Sequence, residues 1–390
     1  MVNWNGREQT LTCLSAIEQQ LGDVENALVT VVDNGSTDGS IAAITSRFPR
    51  FRFIPLGMNR GFTGGLAAAL ATSRARNVVF LNNDAVPAPG WLAVMQSSIE
   101  RAAADVISVA GKIIDLEGKR IDFIGGLLTF DGHALQNGFR MPLGSQPEPA
   151  AGDELLFACG GNMISRREPL MDLGAFDDDY FAYLEDVDFG WRSWISGCRV
   201  TYAPDAVVGH ASSATSERLG NFERGVLFER NALQTVIKNY EDDLLSESAG
   251  AIFYTYLARL HHYATTRNRD AEELRRSAST SPKRSTRTVW QKIRRRLRGE
   301  RPLAAIDDPL TAMQFRAFDW IVRNQQRLID KRNAVQERRR RSDREIFERF
   351  PLHVVPTYPG DAELMSGPLF RLLQPSIAST ERKLGDIIRT

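Results

Sequence analysis

Residues 27–40 read ALVTVVDNGSTDGS. Six apolar or β-branched residues run unbroken and stop at Asp33. Such a run suits a strand buried on both faces. Asn34-Gly35-Ser36 ends it, and a helical pattern covers 40–48. Outward from there, 51–56 reads as a second short strand and 63–74 as an Ala/Leu-rich helix. Residues 77–81 (NVVFL) form a third buried strand, 90–101 a helix and 106–110 another strand. Strands alternating with helices predict βαβ units, hence an α/β fold with a mainly parallel central sheet.

From 115 to 154 the pattern loosens into Gly-rich turns and hairpins. Order returns at 155–165. A helix follows over 189–196 with Gly197 as its C-cap, then a strand at 199–203. The C-terminal part differs: 244–263 and 311–350 read as helical. Between them, 277–301 is rich in Ser, Thr, Lys and Arg and predicts a mobile linker. The expected organisation is a nucleotide-binding type of domain over 1–245 and a helical, basic region over 246–390.

Composition narrows the class. The chain has 390 residues, 43% hydrophobic and 25% charged, which excludes wholesale disorder and collagen-like structure. It lacks the ~18 consecutive apolar residues of a spanning helix. The start, MVNWNGREQT, has no basic head followed by an apolar run and predicts no secretory signal. Cys13, Cys159 and Cys198 fit neither a metal spacing nor a disulfide framework, so a reducing cytosol is the expected setting. The net charge of +1 hides an asymmetry: 259–349 carries 25 Lys+Arg against 12 Asp+Glu. An acidic body with a basic C-terminal region predicts an anionic partner for the latter.

Four segments carry chemistry. Asp33 ends a buried strand, where open α/β sheets bind ligands, and its carboxylate could accept a base N–H. Asp33 and Asp38 equally suit turn and helix capping. In NRGFTGGLAAAL (59–70), Gly61, Gly64 and Gly65 open a helix whose first amides suit a diphosphate. Close packing explains the small residues equally well. In VVFLNNDAVPAPGWL (78–92), a strand ends in Asn82-Asn83-Asp84. That setting suits a divalent cation that keeps phosphate and water ligands, or a plain Asx turn. Finally, FDDDYFAYLEDVDFGWR (176–192) places six carboxylates among aromatic residues. An apolar setting raises a carboxylate pKa and suits a general base. His210 lies downstream, beyond a strand.

Together, VNWNG, VVDNGSTDGS, N-x-G-F-x-G-G, LNNDA, the LGAFDDDYFAYLEDVDFGWR block and the downstream His resemble one family. The chain resembles family-two inverting glycosyltransferases of the GT-A fold, in their rhamnosyltransferase-like branch, from residue 2 to about 245. The resemblance implies that Asp33 reads the donor's pyrimidine ring. It places Asn3, Asn5, Asn59, Gly61 and Asn83 in the nucleotide-sugar pocket. Asn82-Asn83-Asp84 stands where the family has its Asp-x-Asp motif, so Asp84, His210 and Asn82 would hold Mg²⁺ or Mn²⁺. Asn82 departs from the pattern as a neutral, weaker ligand, and the strand before VNWNG is shorter than in relatives. Glu185-Asp186 matches the acidic pair, with Asp186 as base.

The expected activity is metal-dependent inverting transfer of a sugar from a nucleotide sugar to a glycan or lipid-linked glycan acceptor in cell-surface polysaccharide synthesis. L-Rhamnose from dTDP-L-rhamnose is the expected donor. A UDP-hexose donor, or a non-catalytic glycan-binding relative, is the alternative. The expected location is cytoplasmic, with the inner face of the plasma membrane as a second candidate. The run Arg338-Arg339-Arg340-Arg341 suggests a nucleic-acid partner but has no accompanying nucleic-acid motif, and a solvated helical face explains it as well as any partner. Trp290, Ile293 and Leu297 recur at i, i+3 and i+7 among basic residues, as in a helix lying on an anionic membrane.

Overall fold

The computed structural model describes residues 1–211, 219–265, 309–377 and 380–389. β1 (Val2–Asn3), β2 (Thr30–Asp33) and β3 (Arg52–Pro55) form a parallel sheet in the order β1-β2-β3. α1 (Arg7–Glu18) and α2 (Ser40–Arg47) connect them, and α3 (Gly61–Thr72) follows. Val31 and Val32 are fully buried, as the unbroken apolar run requires. Asp38 does the capping expected of it. Its carboxylate accepts the amides of Arg7 at 3.0 Å and Ser40 at 3.0 Å, at the starts of α1 and α2.

The second sheet draws on β4 (Asn77–Leu81), β5 (Ala85–Pro87), β6 (Val106–Asp115) and β7 (Ile121–Phe123). After a small hairpin of β8 (Gly126–Leu128) and β9 (Ala134–Gln136), it adds β10 (Asn162–Arg166) and β11 (Arg199–His210). The order is β4-β10-β6-β11-β5, with β7 on β6. β11 runs parallel to β6, whereas β10 lies antiparallel between β4 and β6. The parallel strands expected of the central sheet are therefore present, but within a mixed second sheet. α4 (Trp91–Arg101) and α5 (Arg167–Asp172) pack beside it, and α6 (Glu185–Ile195) precedes β11.

The helical region contains α7 (Asn221–Asn239), α8 (Asp242–Thr265), α9 (Pro309–Arg323), α10 (Gln325–Gln336) and α11 (Asp343–Arg349). Smaller pieces follow: β12 (His353–Val354), α12 (Asp361–Ser366), α13 (Pro368–Leu373), β13 (Thr380–Glu381) and α14 (Leu384–Ile387). α8 runs through position 245. Ile321, Leu328, Phe347, Leu352 and Phe370 share one apolar cluster with Val31 and Trp191, so these helices complete the core of the α/β body. The expected linker 277–301 and the amphipathic pattern of 290–298 lie outside the described residues. No helix among the described residues is long and apolar enough to cross a membrane.

The helix expected over 311–350 is broken instead into three. The second break falls at the arginine run, which leaves the helix between α10 and α11 to close over the end of α6. The Arg340 and Arg341 amides donate to Ile195 O at 2.8 and 3.2 Å. The Arg341 guanidinium donates to Cys198 O at 2.8 Å and Gly197 O at 2.9 Å, and lies 5.0 Å over the Trp194 ring. Carbonyls at a helix C-terminus lack intrahelical donors, and a cation there also complements the helix dipole. Ser342 then restarts the chain as α11 through a capping box with Glu345. Arg341 makes the run an intramolecular clasp, while the Arg338 and Arg340 side chains stay exposed.

Part of the basic charge among the described residues is met within the chain in the same way. Asp177 pairs with Lys238 at 2.7 Å and with Lys331, Asp179 with Arg327 at 2.7 Å, and Asp131 with Arg259 at 3.0 Å. Much of the basic charge of the described helices is spent on the acids of the body itself. Arg341→Ala should cost about 2 kcal/mol, the usual worth of charged hydrogen bonds, and Arg341→Lys should recover only part, because ammonium lacks the fork. Urea unfolding should show a lower midpoint at unchanged slope. An unchanged midpoint would remove the clasp from the account.

Candidate active site

Strand register builds the first half of the site. β11 pairs antiparallel with β5, placing His210 opposite Ala85, and parallel with β6, placing His210 opposite Asp115. Asp84, just before β5, therefore meets His210: Oδ1 and Nε2 are 3.0 Å apart. β7 pairs with the end of β6 and brings Asp122 Oδ2 to 2.9 Å from His210 Nδ1. Asn82 Nδ2 is 3.3 Å from His210 Nε2. Burial works to lower the His210 pKa, but hydrogen bonds to Asp122 and Asp84 outweigh it and raise it to about 10.

This donor set can be tested against a divalent cation. A carboxylate and an imidazole nitrogen converge on one point, and the far imidazole nitrogen is held by a second carboxylate. That carboxylate–histidine arrangement is how metal-binding histidines are oriented. No group of three or more His, Cys, Asp or Glu suited to a metal occurs among the described residues. The residues fit an ion with two or three protein ligands whose remaining positions are filled by phosphate and water. Asp122 was not legible in the sequence, since it sits in the loosened 115–154 segment without a motif.

The second half is the start of α6. Of the six carboxylates between 177 and 188, Asp178 is exposed. Asp177 and Asp179 are paired with cations, as is Asp188, with Arg192 at 2.8 Å and Lys238 at 2.8 Å. Among the described residues Glu185 and Asp186 have no cation in reach. Asp186 is half-buried and accepts the amides of Gly160 at 2.9 Å and Val187 at 2.8 Å. Its pKa is raised by burial, against those two hydrogen bonds. Glu185 is buried, its Oε2 has no hydrogen-bond partner, and burial plus the charge of Asp186 push its pKa up to about 8.

The turn Gly160-Gly161 bridges the two halves. Gly160 donates to Asp186. The Asn82 amide donates to Gly161 O at 3.1 Å, and a Cβ on Gly161 would lie 2.9 Å from Asn82 Nδ2. The glycine pair in FACGGNM was a readable signal that the sequence reading passed over.

The loop before α6 holds Phe181, Tyr183 and Leu184 at φ of 64°, 71° and 63°. Non-glycine residues adopt this region at a cost and persist there only when the surroundings enforce it. Here α7 enforces it. Asn231 Nδ2 reaches Tyr180 O, Ala182 O and Tyr183 O at 3.1, 2.8 and 2.6 Å, and Arg230 donates to Asp179 O and Tyr180 O at 2.6 and 2.7 Å.

The residues implied for the nucleotide pocket fall into two groups. Asn3 is fully buried, with Nδ2 donating to Asp33 Oδ2 at 2.9 Å, while its Oδ1 accepts from Thr10 at 2.9 Å and Asn83 at 3.2 Å. Asp33 Oδ1 takes the Gly35 and Ser36 amides at 3.2 and 2.8 Å, the turn-capping role. Asn5 accepts the Thr37 amide at 2.7 Å. Asn59 accepts from Asn34 and from the Gly61 amide, each at 2.9 Å. The Thr63 amide donates to Phe181 O at 3.2 Å. Two of the first amides of α3 thus have protein partners, which counts against an open anion site there. Gly61 is required sterically, because at φ 77° a Cβ would sit 2.4 Å from Phe181 O.

A pH test follows from Glu185. Its folded pKa of about 8 exceeds the ordinary 4.5, so folding takes up a proton between those values. Stability should therefore fall as pH rises through that window. Glu185→Gln should melt at a similar temperature near pH 4 and at a higher one near pH 8. A pH-independent difference would contradict the burial of an uncompensated carboxyl.

Residues 1–174 match glycosyl transferase family 2. N-acetylglucosaminyl-diphospho-decaprenol L-rhamnosyltransferase of Mycobacterium tuberculosis (strain CDC 1551 / Oshkosh) is 26% identical over 210 residues, covering 49% of this chain and 68% of that protein. The structure of GalNAc-T7 with UDP, GalNAc and Mn²⁺ superposes with a TM-score of 0.51 at 14% identity, covering 77% of this chain and 57% of that one. The mannosyltransferase PcManGT from Pyrobaculum calidifontis, in complex with GDP-Man and Mn²⁺, gives 0.45 at 18% identity, covering 83% and 85%. Residues 1–174 thus match glycosyl transferase family 2, and the chain has the GT-A fold and is similar to a rhamnosyltransferase.

Proposed function

We propose that the chain transfers L-rhamnose from dTDP-L-rhamnose, with inversion, to a hydroxyl of a glycan or lipid-linked glycan precursor of the cell surface. The observation that carries transfer is the pair Glu185-Asp186, without a cation among the described residues and joined through Gly160-Gly161 to Asn82, which lies beside His210. A non-catalytic glycan-binding protein has no use for a buried carboxyl left without a cation. Rhamnose and a lipid-linked acceptor rest on the similarity to the mycobacterial rhamnosyltransferase, whose name includes both.

Asp84 and His210, with Asn82 beside them, would hold the cation, and His210 favours Mn²⁺ over the oxygen-preferring Mg²⁺. When bound, the cation supplies positive charge for the diphosphate that departs. The chain's own residues do the rest. Asp122 holds His210 through Nδ1, leaving Nε2 turned toward Asp84. Asp186 receives the proton of the acceptor hydroxyl as the oxygen attacks the anomeric carbon from the face opposite the leaving group. Its raised pKa makes it a better base than an exposed aspartate. The Gly160 and Val187 amides fix one oxygen each, and the Asn231 clamp fixes the loop that leads to it. One displacement inverts the anomeric centre and leaves no covalent enzyme intermediate.

Asp186→Asn should lower transfer by about 10²–10⁴-fold while dTDP binding, read by calorimetry, stays near wild type. Near-normal turnover would move the role to Glu185. Asp84→Ala and His210→Ala should each weaken Mn²⁺-supported nucleotide binding, and EDTA should inhibit the wild type. Asp122→Asn should weaken Mn²⁺ binding about 10–100-fold, followed by electron paramagnetic resonance. Normal nucleotide binding in EDTA and in both ligand variants would exclude the metal.

A further inference from the structure

A cleft of about 520 Å³ opens where the α/β body meets the helical region. That is the size of a small-molecule site, which runs from about 300 to 1,000 Å³. It is lined from α3, from α5 and the stretch after it, from the last turn of α6 and from α10. None of Asp84, His210, Glu185 and Asp186 lines it, and none of the residues implied for the nucleotide pocket does. Much of the lining is aliphatic: Ala67, Leu70 and Ala71 come from α3, joined by Met171, Ile195 and Val335. Its one aromatic residue, Phe176, is buried and packs on Phe80 and Phe189. The cleft therefore has no open ring on which a base or a sugar could stack.

The charge in the lining is concentrated on α10. Arg327, Lys331, Ala334 and Val335 fall at i, i+4, i+7 and i+8 on one face of that helix, and Arg338 follows just past its end. Arg192 and Lys238 also line the cleft but are committed to Asp188 and Asp177. The three cations on and beside α10 are only partly used. A guanidinium has five N–H donors and an ammonium three. Arg327 meets Asp179, and Lys331 meets Asp177 and Asp179. Arg338 is exposed, donates to the carbonyl of Asp172, and has no carboxylate partner among the described residues. Against them the lining sets two acids, the paired Asp177 and the exposed Asp178. An aliphatic hollow beside cations with donors to spare selects an apolar chain that ends in a negative group. We propose that this cleft binds an amphipathic anion, a single aliphatic chain with a phosphate or carboxylate head. The chain lies against Ala67, Leu70 and Ala71, and the head takes charge-assisted hydrogen bonds from Arg327, Lys331 and Arg338. A bare anion would leave the aliphatic wall wet, and an uncharged chain would leave the cations unanswered. The site and its test stand apart from the proposed sugar transfer.

The test is calorimetric titration of the full chain with octyl phosphate and with octanoate, beside octan-1-ol and inorganic phosphate. At least one of the two amphiphiles should bind saturably, one per chain, and the tighter of them names the headgroup. Octan-1-ol and inorganic phosphate should each bind at least tenfold more weakly. Ala334→Trp fills the cleft and Ala71→Glu sets a carboxylate at its rim. Both positions are exposed, and melting serves as the fold control. Each variant should weaken binding of the amphiphile at least tenfold. Amide hydrogen exchange on the wild type needs no variant, and the bound amphiphile should slow it over 171–178 and 327–338. No saturable binding of either amphiphile would overturn the proposal, as would undiminished binding in both folded variants or no protection of these two segments. Octan-1-ol binding as tightly would make the site merely apolar, and inorganic phosphate binding as tightly would make it a plain anion site; either result contradicts the proposal.

Discussion

The site depends on how Asn231 and Arg230 hold the loop that ends at Leu184. Three of its residues sit at positive φ, each at a cost of about 1–3 kcal/mol, and five carbonyl contacts from α7 offset that cost. Released, the loop would relax toward ordinary backbone angles and α6 would start elsewhere, taking Glu185 and Asp186 with it. α7 is itself packed by α9 and α10. The helical region is therefore a support of the loop before Glu185 and Asp186, and its removal would be felt there rather than only at the surface.

Charge is sorted on the same short segment. Asp177, Asp179 and Asp188 are neutralised by Lys238, Lys331, Arg192 and Arg327, and these pairs lock the segment to α7 and α10. Glu185 and Asp186 are denied such partners among the described residues, so burial raises both pKa values. Opposite them, His210 sits between Asp84 and Asp122 with its pKa raised. One side of the Gly160-Gly161 turn is built to take up a proton and the other to favour positive charge. In the inverting displacement we propose, the base at the acceptor and the charge neutralisation at the leaving group would lie on either side of this turn.

Much of this was legible before the structure. The strand ends at Asp33 and Leu81 were visible as apolar runs stopped by short polar residues. The acidic–aromatic block announced a carboxylate in an apolar setting. What could not be read were features made by register and docking. Asp122 joins His210 only because β7 pairs with β6 while β11 pairs with β6 on its other edge. The arginine run 338–341 has the composition of a surface patch, and only the docked end of α6 turns it into a cap. Asn231 is an ordinary helix residue until the loop carbonyls are placed beside it. Asp33 and Asn3 illustrate the opposite case: their capping and buried bonds are plain local chemistry, and a ligand role would be added to those bonds rather than replace them.

The central claim is a single displacement in which Asp186 takes the acceptor proton. The anomeric configuration of the product tests it most directly. With dTDP-L-rhamnose and a soluble acceptor analogue, the one-bond carbon–proton coupling at the anomeric centre should show the configuration opposite to that of the donor. Retention of the donor configuration would contradict the account, because it requires a second displacement or a front-face route that the placement of Asp186 does not provide.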